Sequence, residues 1–87
     1  MKLIFAIVRD SDSDTVTQGL TGADFRVTRV ASTGGLLRRG MTTLLIGLES
    51  EQVETAIQVL RKTCTPAAEN GKRATIFVLP VDRFEQI

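Results

Sequence analysis

Three segments of this 87-residue chain place large apolar side chains on both sides of what reads as a β-strand, and that pattern restricts the folds open to it. In Lys2 to Val8, Leu3, Phe5 and Ile7 oppose Ile4 and Val8. In the run ending at Leu48, Leu44 and Ile46 oppose Leu45. In Ala74 to Val81, Phe77 and Leu79 oppose Ile76 and Val78. A sheet built from such strands needs a cover on each face, as in buried sheets rather than half-solvated ones.

The intervening segments supply one cover. Asp10 to Asp14 (DSDSD) is rich in N-cap formers, and Val16 and Leu20 follow at i, i+4 spacing before a stop at Gly22. A short first helix is expected there, although its threonines and Gly19 are poor helix formers. Ser50 is expected to cap a second helix, whose Val53, Ala56, Ile57, Leu60 and Cys64 keep a 3.6-residue period. Its outer face carries Glu51, Glu54, Gln58, Arg61 and Lys62, and Pro66 ends it in the loop Thr65 to Gly71. Pro80 marks the last strand as near its end or at an edge.

The order is thus strand, helix, strand, loop, strand, helix, strand, with no linker composition between the halves. This predicts an α+β, ferredoxin-like βαββαβ sandwich over residues 1–87, with an antiparallel sheet and both helices on one face. Both helices then cover the same side, and the second apolar face is left bare. About six large side chains in water forfeit on the order of 10 kcal/mol, comparable to the whole stability of a small domain. Self-association through that face is the expectation, against a monomer with an apolar surface.

Phe25 to Leu48 (FRVTRVASTGGLLRRGMTTLLIGL) holds the most suggestive polar pattern. Phe25 and Val27 point one way along the first strand of this stretch, Arg26 and Thr28 the other, so a charge and a hydroxyl share a surface. Gly34, Gly35 and Gly40 permit positive φ and close backbone approach, and with Arg38 or Arg39 they form a loop suited to an anion. The same residues also describe an ordinary hairpin loop with solvated arginines.

Several functions are excluded. With 11 basic and 10 acidic residues the net charge is +1, which gives no broad field for nucleic acid or anionic membrane. The four phenylalanines read as core residues rather than base platforms. No apolar run is long enough for a membrane span or an export signal, so a soluble cytoplasmic protein is expected. There is no histidine, and the single Cys64 reads as a core residue in a reduced compartment, so metal sites and His-dependent nucleophiles fall away. Gly35 to Thr42 has P-loop glycine spacing, but Met41 replaces the lysine and a strand follows. Asp10, Asp12 and Asp14 lack the glycine and glutamate of a calcium loop, with Thr15 and Thr21 in those places. No enzyme and no cofactor are expected.

The opening KLIFAIVRDSDS, the stretch FRVTRVASTGGLLRRGMTTLLIGL and the closing ATIFVLPVDRFEQI resemble the PII-like cyclic-di-AMP receptor proteins, trimeric signal-transduction proteins of bacteria. The resemblance implies a homotrimer that buries the open sheet face and binds one cyclic dinucleotide in each cleft between subunits. It implies that Arg26 and Thr28 face the phosphate and ribose, with backbone groups from Gly35 to Leu37 and around Gly47 closing on the ligand. Leu36, Leu37 and Phe77 line the adenine sites in this reading, position 41 reads an adenine edge, and Gln86 caps the pocket from a neighbour. The downstream protein partner is unknown.

The chain departs from the family pattern at Met41 in place of an asparagine, at Leu36 in place of a stacking aromatic, and at Asp24 in place of a neutral amide. Its loop after the second helix, Thr65 to Lys72, is also short. These departures support a different function, a PII-like structural or interaction module that has lost its ligand or changed it to ATP or another adenine nucleotide. A third reading, an amino-acid-binding regulatory module, meets an acidic first helix start that repels a carboxylate.

Overall fold

The computed structural model describes residues 1–30, 40–66 and 74–87. Its elements are β1 (Lys2–Arg9), α1 (Asp10–Gly22), β2 (Arg26–Val30), β3 (Met41–Leu48), α2 (Val53–Thr63) and β4 (Ala74–Pro80), with a 3-10 turn at Ser50–Gln52 before α2. The sheet order is β2-β3-β1-β4, and every pair is antiparallel. This α+β arrangement is compatible with the expected ferredoxin-like sandwich. Pro80 closes β4, which is an edge strand, as its missing N–H requires.

Alternation sorts the two central strands, β1 and β3, as the sequence predicts. Ile4, Ala6 and Val8 of β1 and Leu44, Ile46 and Leu48 of β3 are buried in one cluster with Val16, Leu20, Ala56, Leu60 and Cys64 from the helical layer. The opposite face is a grid fixed by the register. Arg26, Gly47, Leu3 and Leu79 form one row across the four strands, Thr28, Leu45, Phe5 and Phe77 the next, and Val30, Thr43, Ile7 and Thr75 the third. Phe77 and Leu79 stand 52% and 42% exposed there, so apolar surface is uncovered in the single chain.

Local chemistry differs from expectation at both helix starts. The aspartates of DSDSD do not cap α1; Arg9 occupies the N-cap position without a side-chain cap bond, and the helix already begins at Asp10. Ser50 does not cap the second helix: the 3-10 turn that leads into it is capped by Glu49, in a capping box with Gln52, whose side chain accepts the Glu49 backbone N–H at 3.0 Å, while Gln52, at the N-cap position of α2, makes no side-chain cap bond there. Three of the four phenylalanines also lie outside the core: Phe25 is buried in it, but Phe5 is half-buried on the opposite face and Phe77 and Phe84 are exposed.

α1 turns into β2 through a Schellman motif. Phe25 N–H donates to Leu20 C=O at 3.0 Å and Asp24 N–H to Thr21 C=O at 3.0 Å, with Asp24 at φ 68. Phe25 and Leu20, both buried, make the apolar contact that accompanies such a turn. Asp24 is one of the few residue types that enters this left-handed region at modest cost. Gly19 is equally positional: a Cβ there would stand 2.7 Å from Thr63 Cγ2 and 3.3 Å from Val59 Cγ1, so its poor helix propensity is exchanged for close approach of α1 to α2.

Candidate functional site

A cavity of about 490 Å³ opens on the uncovered face of the sheet at the Lys2 end of β1. Its floor is the row in which Gly47 stands between Arg26 and Leu3, with Thr28 and Leu45 in the next row. Because Gly47 has no side chain, the floor sinks between its neighbours; a Cβ there would meet only Met1 Cε, at 3.5 Å. The wall is the C-terminal tail. Val81 N–H donates to Met1 C=O at 3.1 Å, which carries the chain past the end of the sheet and brings Phe84 and Gln86 to the cavity. Arg83 and Glu85, which alternate with them, are ion-paired to each other.

The electrostatics suit an anion. Lys2 and Arg26 line the cavity, and neither forms an ion pair among the described residues. No described lining residue is acidic. Arg29, three positions along the same strand but on the helix side, is treated differently: it donates to Asp14 Oδ1 at 2.8 Å. Alternation on β2 therefore separates a paired guanidinium from one without an ion pair among the described residues.

Of the residues singled out in the sequence, Arg26, Thr28, Gly47 and Gln86 meet in this one cavity. Gln86 lines this cavity of its own chain. Met41 is the register partner of Arg9 and lies six residues along β3 from Gly47, roughly 20 Å away at ~3.3 Å per residue. Phe77 sits opposite Phe5 on β4, two strands from Leu45. Neither lines the cavity. Gly35, Leu36 and Leu37 lie outside the described residues, as do Gly34, Arg38 and Arg39; Gly40, at the loop's end, does adopt positive φ, at 84°.

The sequence reading did not single out Lys2, Leu3, Leu45 or Phe84 as cavity residues, because cross-strand register and the course of the tail decide their place. It also missed a polar cluster at the other end of β1. Asp12, only 2% exposed, accepts the Thr65 hydroxyl and Arg9 Nε, the latter at 3.2 Å, while Asp10 accepts the Thr42 hydroxyl and donates its backbone N–H to Gly40 C=O at 2.8 Å. Burial pushes the Asp12 carboxyl up, but the Thr65 hydrogen bonds and the Arg9 charge together outweigh it and hold its pKa below the ordinary carboxylate value. No group of three or more described Cys, Asp or Glu side chains is arranged to hold a metal, and no helix among the described residues is long and apolar enough to cross a membrane.

Comparison with solved structures finds a close fold in a functionally unknown protein from Pediococcus pentosaceus ATCC 25745. It is 34% identical, with a TM-score of 0.80 over 99% of this chain and 96% of that one. The family model for the cyclic-di-AMP receptor matches residues 1–70, which include Lys2, Arg26, Thr28 and Gly47 but stop short of the tail. The chain belongs to the PII-like cyclic-di-AMP receptor family.

Proposed function

We propose that this protein is a non-enzymatic signalling receptor that binds cyclic-di-AMP in clefts between the subunits of a homotrimer. The observation that carries the reading is the Arg26 guanidinium, without an ion pair among the described residues and set with Lys2 and Thr28 in a cavity none of whose described lining residues is acidic. A guanidinium that finds no carboxylate among the described residues is suited to a phosphate supplied from outside.

The trimer accounts for two further features. Packing of the bare face among copies covers Phe5, Phe77, Leu79 and Leu45, which solvent otherwise reaches. It also accounts for the separation of Met41 and Phe77 from Arg26 within one chain, since residues far apart on one sheet can meet across an interface. The loop residues Gly35, Leu36 and Leu37 belong to the same proposed site, and a bound-state change at that loop is the signal offered to a partner protein in the cytoplasm.

Isothermal titration with cyclic-di-AMP, cyclic-di-GMP, ATP and AMP, alongside sedimentation, tests both parts. Cyclic-di-AMP is expected to bind one per subunit to a trimer. A protein that binds none of the four below millimolar refutes the receptor reading, and a monomer at micromolar concentration refutes the cleft. Met41 and Leu36 favour a second reading, in which the site has exchanged its ligand for another adenine nucleotide; preference for ATP over cyclic-di-AMP in the same titrations would establish it.

A further inference from the structure

We infer that Phe84 in the C-terminal tail is the base-stacking residue of the cavity, an inference that rests on the nucleotide-binding reading above. A nucleotide has a charged end and a flat aromatic end, and a site must serve both. Arg26 and Lys2 serve the first. For the second, Phe84 is the one aromatic among the described lining residues.

Its setting is that of a platform rather than a core residue. Phe84 is 61% exposed, so a ring face is open to a ligand, and the residues that alternate with it, Arg83 and Glu85, satisfy each other away from the site. The tail is anchored where it begins, by the Val81 to Met1 hydrogen bond, and Phe84 lines the same cavity as Arg26. Gln86, two residues on and lining the same cavity, offers an amide whose donor and acceptor match the edge of an adenine. Position 84 also lies beyond residues 1–70, outside the span matched by the family model.

Stacking of a base on an aromatic side chain is worth enough that its loss weakens binding by roughly 5- to 150-fold. The test uses the full chain with two probes, cyclic-di-AMP and ribose 5-phosphate, which shares the phosphate and sugar but has no base. Phe84→Ala and Phe84→Leu are expected to weaken cyclic-di-AMP within that range and to leave ribose 5-phosphate unchanged, with melting curves close to wild type because the side chain is exposed. The chain has no tryptophan, so Phe84→Trp introduces a unique fluorophore, which cyclic-di-AMP should quench on stacking while ribose 5-phosphate should not. Wild-type affinity in Phe84→Ala with no quenching in Phe84→Trp overturns the inference and leaves the receptor reading standing. Equal weakening of both probes also overturns it, by making Phe84 a shaping residue. If the wild-type protein binds neither probe, the receptor reading fails and this inference fails with it.

Discussion

At one end of β1, Arg9 is held by Asp12 and by the Thr65 carbonyl, and Asp10 next to it is bonded to Thr42. At the other end of the same strand, Lys2 and, across β3, Arg26 face a cavity with no ion pair among the described residues. The two ends carry similar side chains in the same sheet. They differ in whether the fold supplies the counter-charge. At the Arg9 end the fold supplies it, so those charges serve stability; at the other end Glu49 pairs with the Met1 ammonium at 3.8 Å, but Lys2 and Arg26 are left without a counter-charge among the described residues, which suits them to the proposed ligand.

The largest effect should come from breaking the satisfied end. Asp12→Ala leaves Arg9 and the Thr65 hydroxyl without their buried acceptor, and a loss of about 3 kcal/mol in chemical denaturation is expected. The same group sets a pH dependence. Its folded pKa lies below the unfolded value of ~3.9, so the unfolded chain binds more protons in that window and stability rises with pH through it. The contribution is complete above about pH 5 and is lost as pH falls through the unfolded and then the folded pKa. Asp12→Asn should flatten the stability curve there; an unchanged slope would mean that the carboxylate is not the group responsible.

Breaking the open end should do the reverse. Arg26→Ala is expected to leave the melting curve within about 0.5 kcal/mol of wild type, since no partner in the described chain is lost, yet to weaken cyclic-di-AMP by about 1.5 to 3 kcal/mol in titration. A stability loss as large as that of Asp12→Ala would erase the distinction between the two ends.

A third substitution sharpens the contrast from the helical layer. α1 carries Asp12 and the end of α2 leads into Thr65, so the satisfied end depends on how closely the helices approach at Gly19. Gly19→Ala puts a methyl 2.7 Å from Thr63 Cγ2 and should cost about 1 to 3 kcal/mol in the melt. Thr63→Ser removes that methyl and keeps the hydroxyl that donates to Val59 C=O at 2.8 Å, so the double variant should recover part of the loss. Full additivity of the two changes would rule out this contact as the cause.

The sequence made the faces legible and hid the ends. Period-2 alternation placed Arg26 and Thr28 opposite Phe25 and Val27, and set Phe5, Leu45 and Phe77 opposite Ile4, Leu44 and Ile76, because strand geometry leaves a side chain two directions only, while which side stays bare depends on where the helices pack. The cavity was half legible: Arg26, Thr28, Gly47 and Gln86 were singled out, but Lys2 and Phe84 depend on register and on the path of the tail, which no local pattern encodes. Asp10, Asp12 and Asp14 invited a capping role because that is what short polar residues do before a helix. The helix instead began one residue earlier than their capping role required, and long-range partners at Thr42 and Thr65, 32 and 53 residues away, claimed two of the carboxylates.

The smallest expected effect lies between the two ends. Thr42 and Thr43 are neighbours on β3 and both are buried, but they face opposite sides: Thr42 donates to Asp10, whereas the Thr43 hydroxyl has no hydrogen-bond partner among the described residues. A buried hydroxyl without a partner keeps its desolvation cost and gains nothing in return. Thr43→Val preserves the branched shape and deletes that cost, so the melt of the isolated protein should be unchanged or raised by up to about 1 kcal/mol, while Thr42→Val should lower it. Thr43 sits on the bare face, between Val30 and Ile7 in the third row of the grid. If Thr43→Val instead lowers stability by more than about 1 kcal/mol, the hydroxyl has found an acceptor in the assembled protein, and the division between an end that satisfies its polar groups internally and a face that does so through its neighbours would gain a residue-level marker.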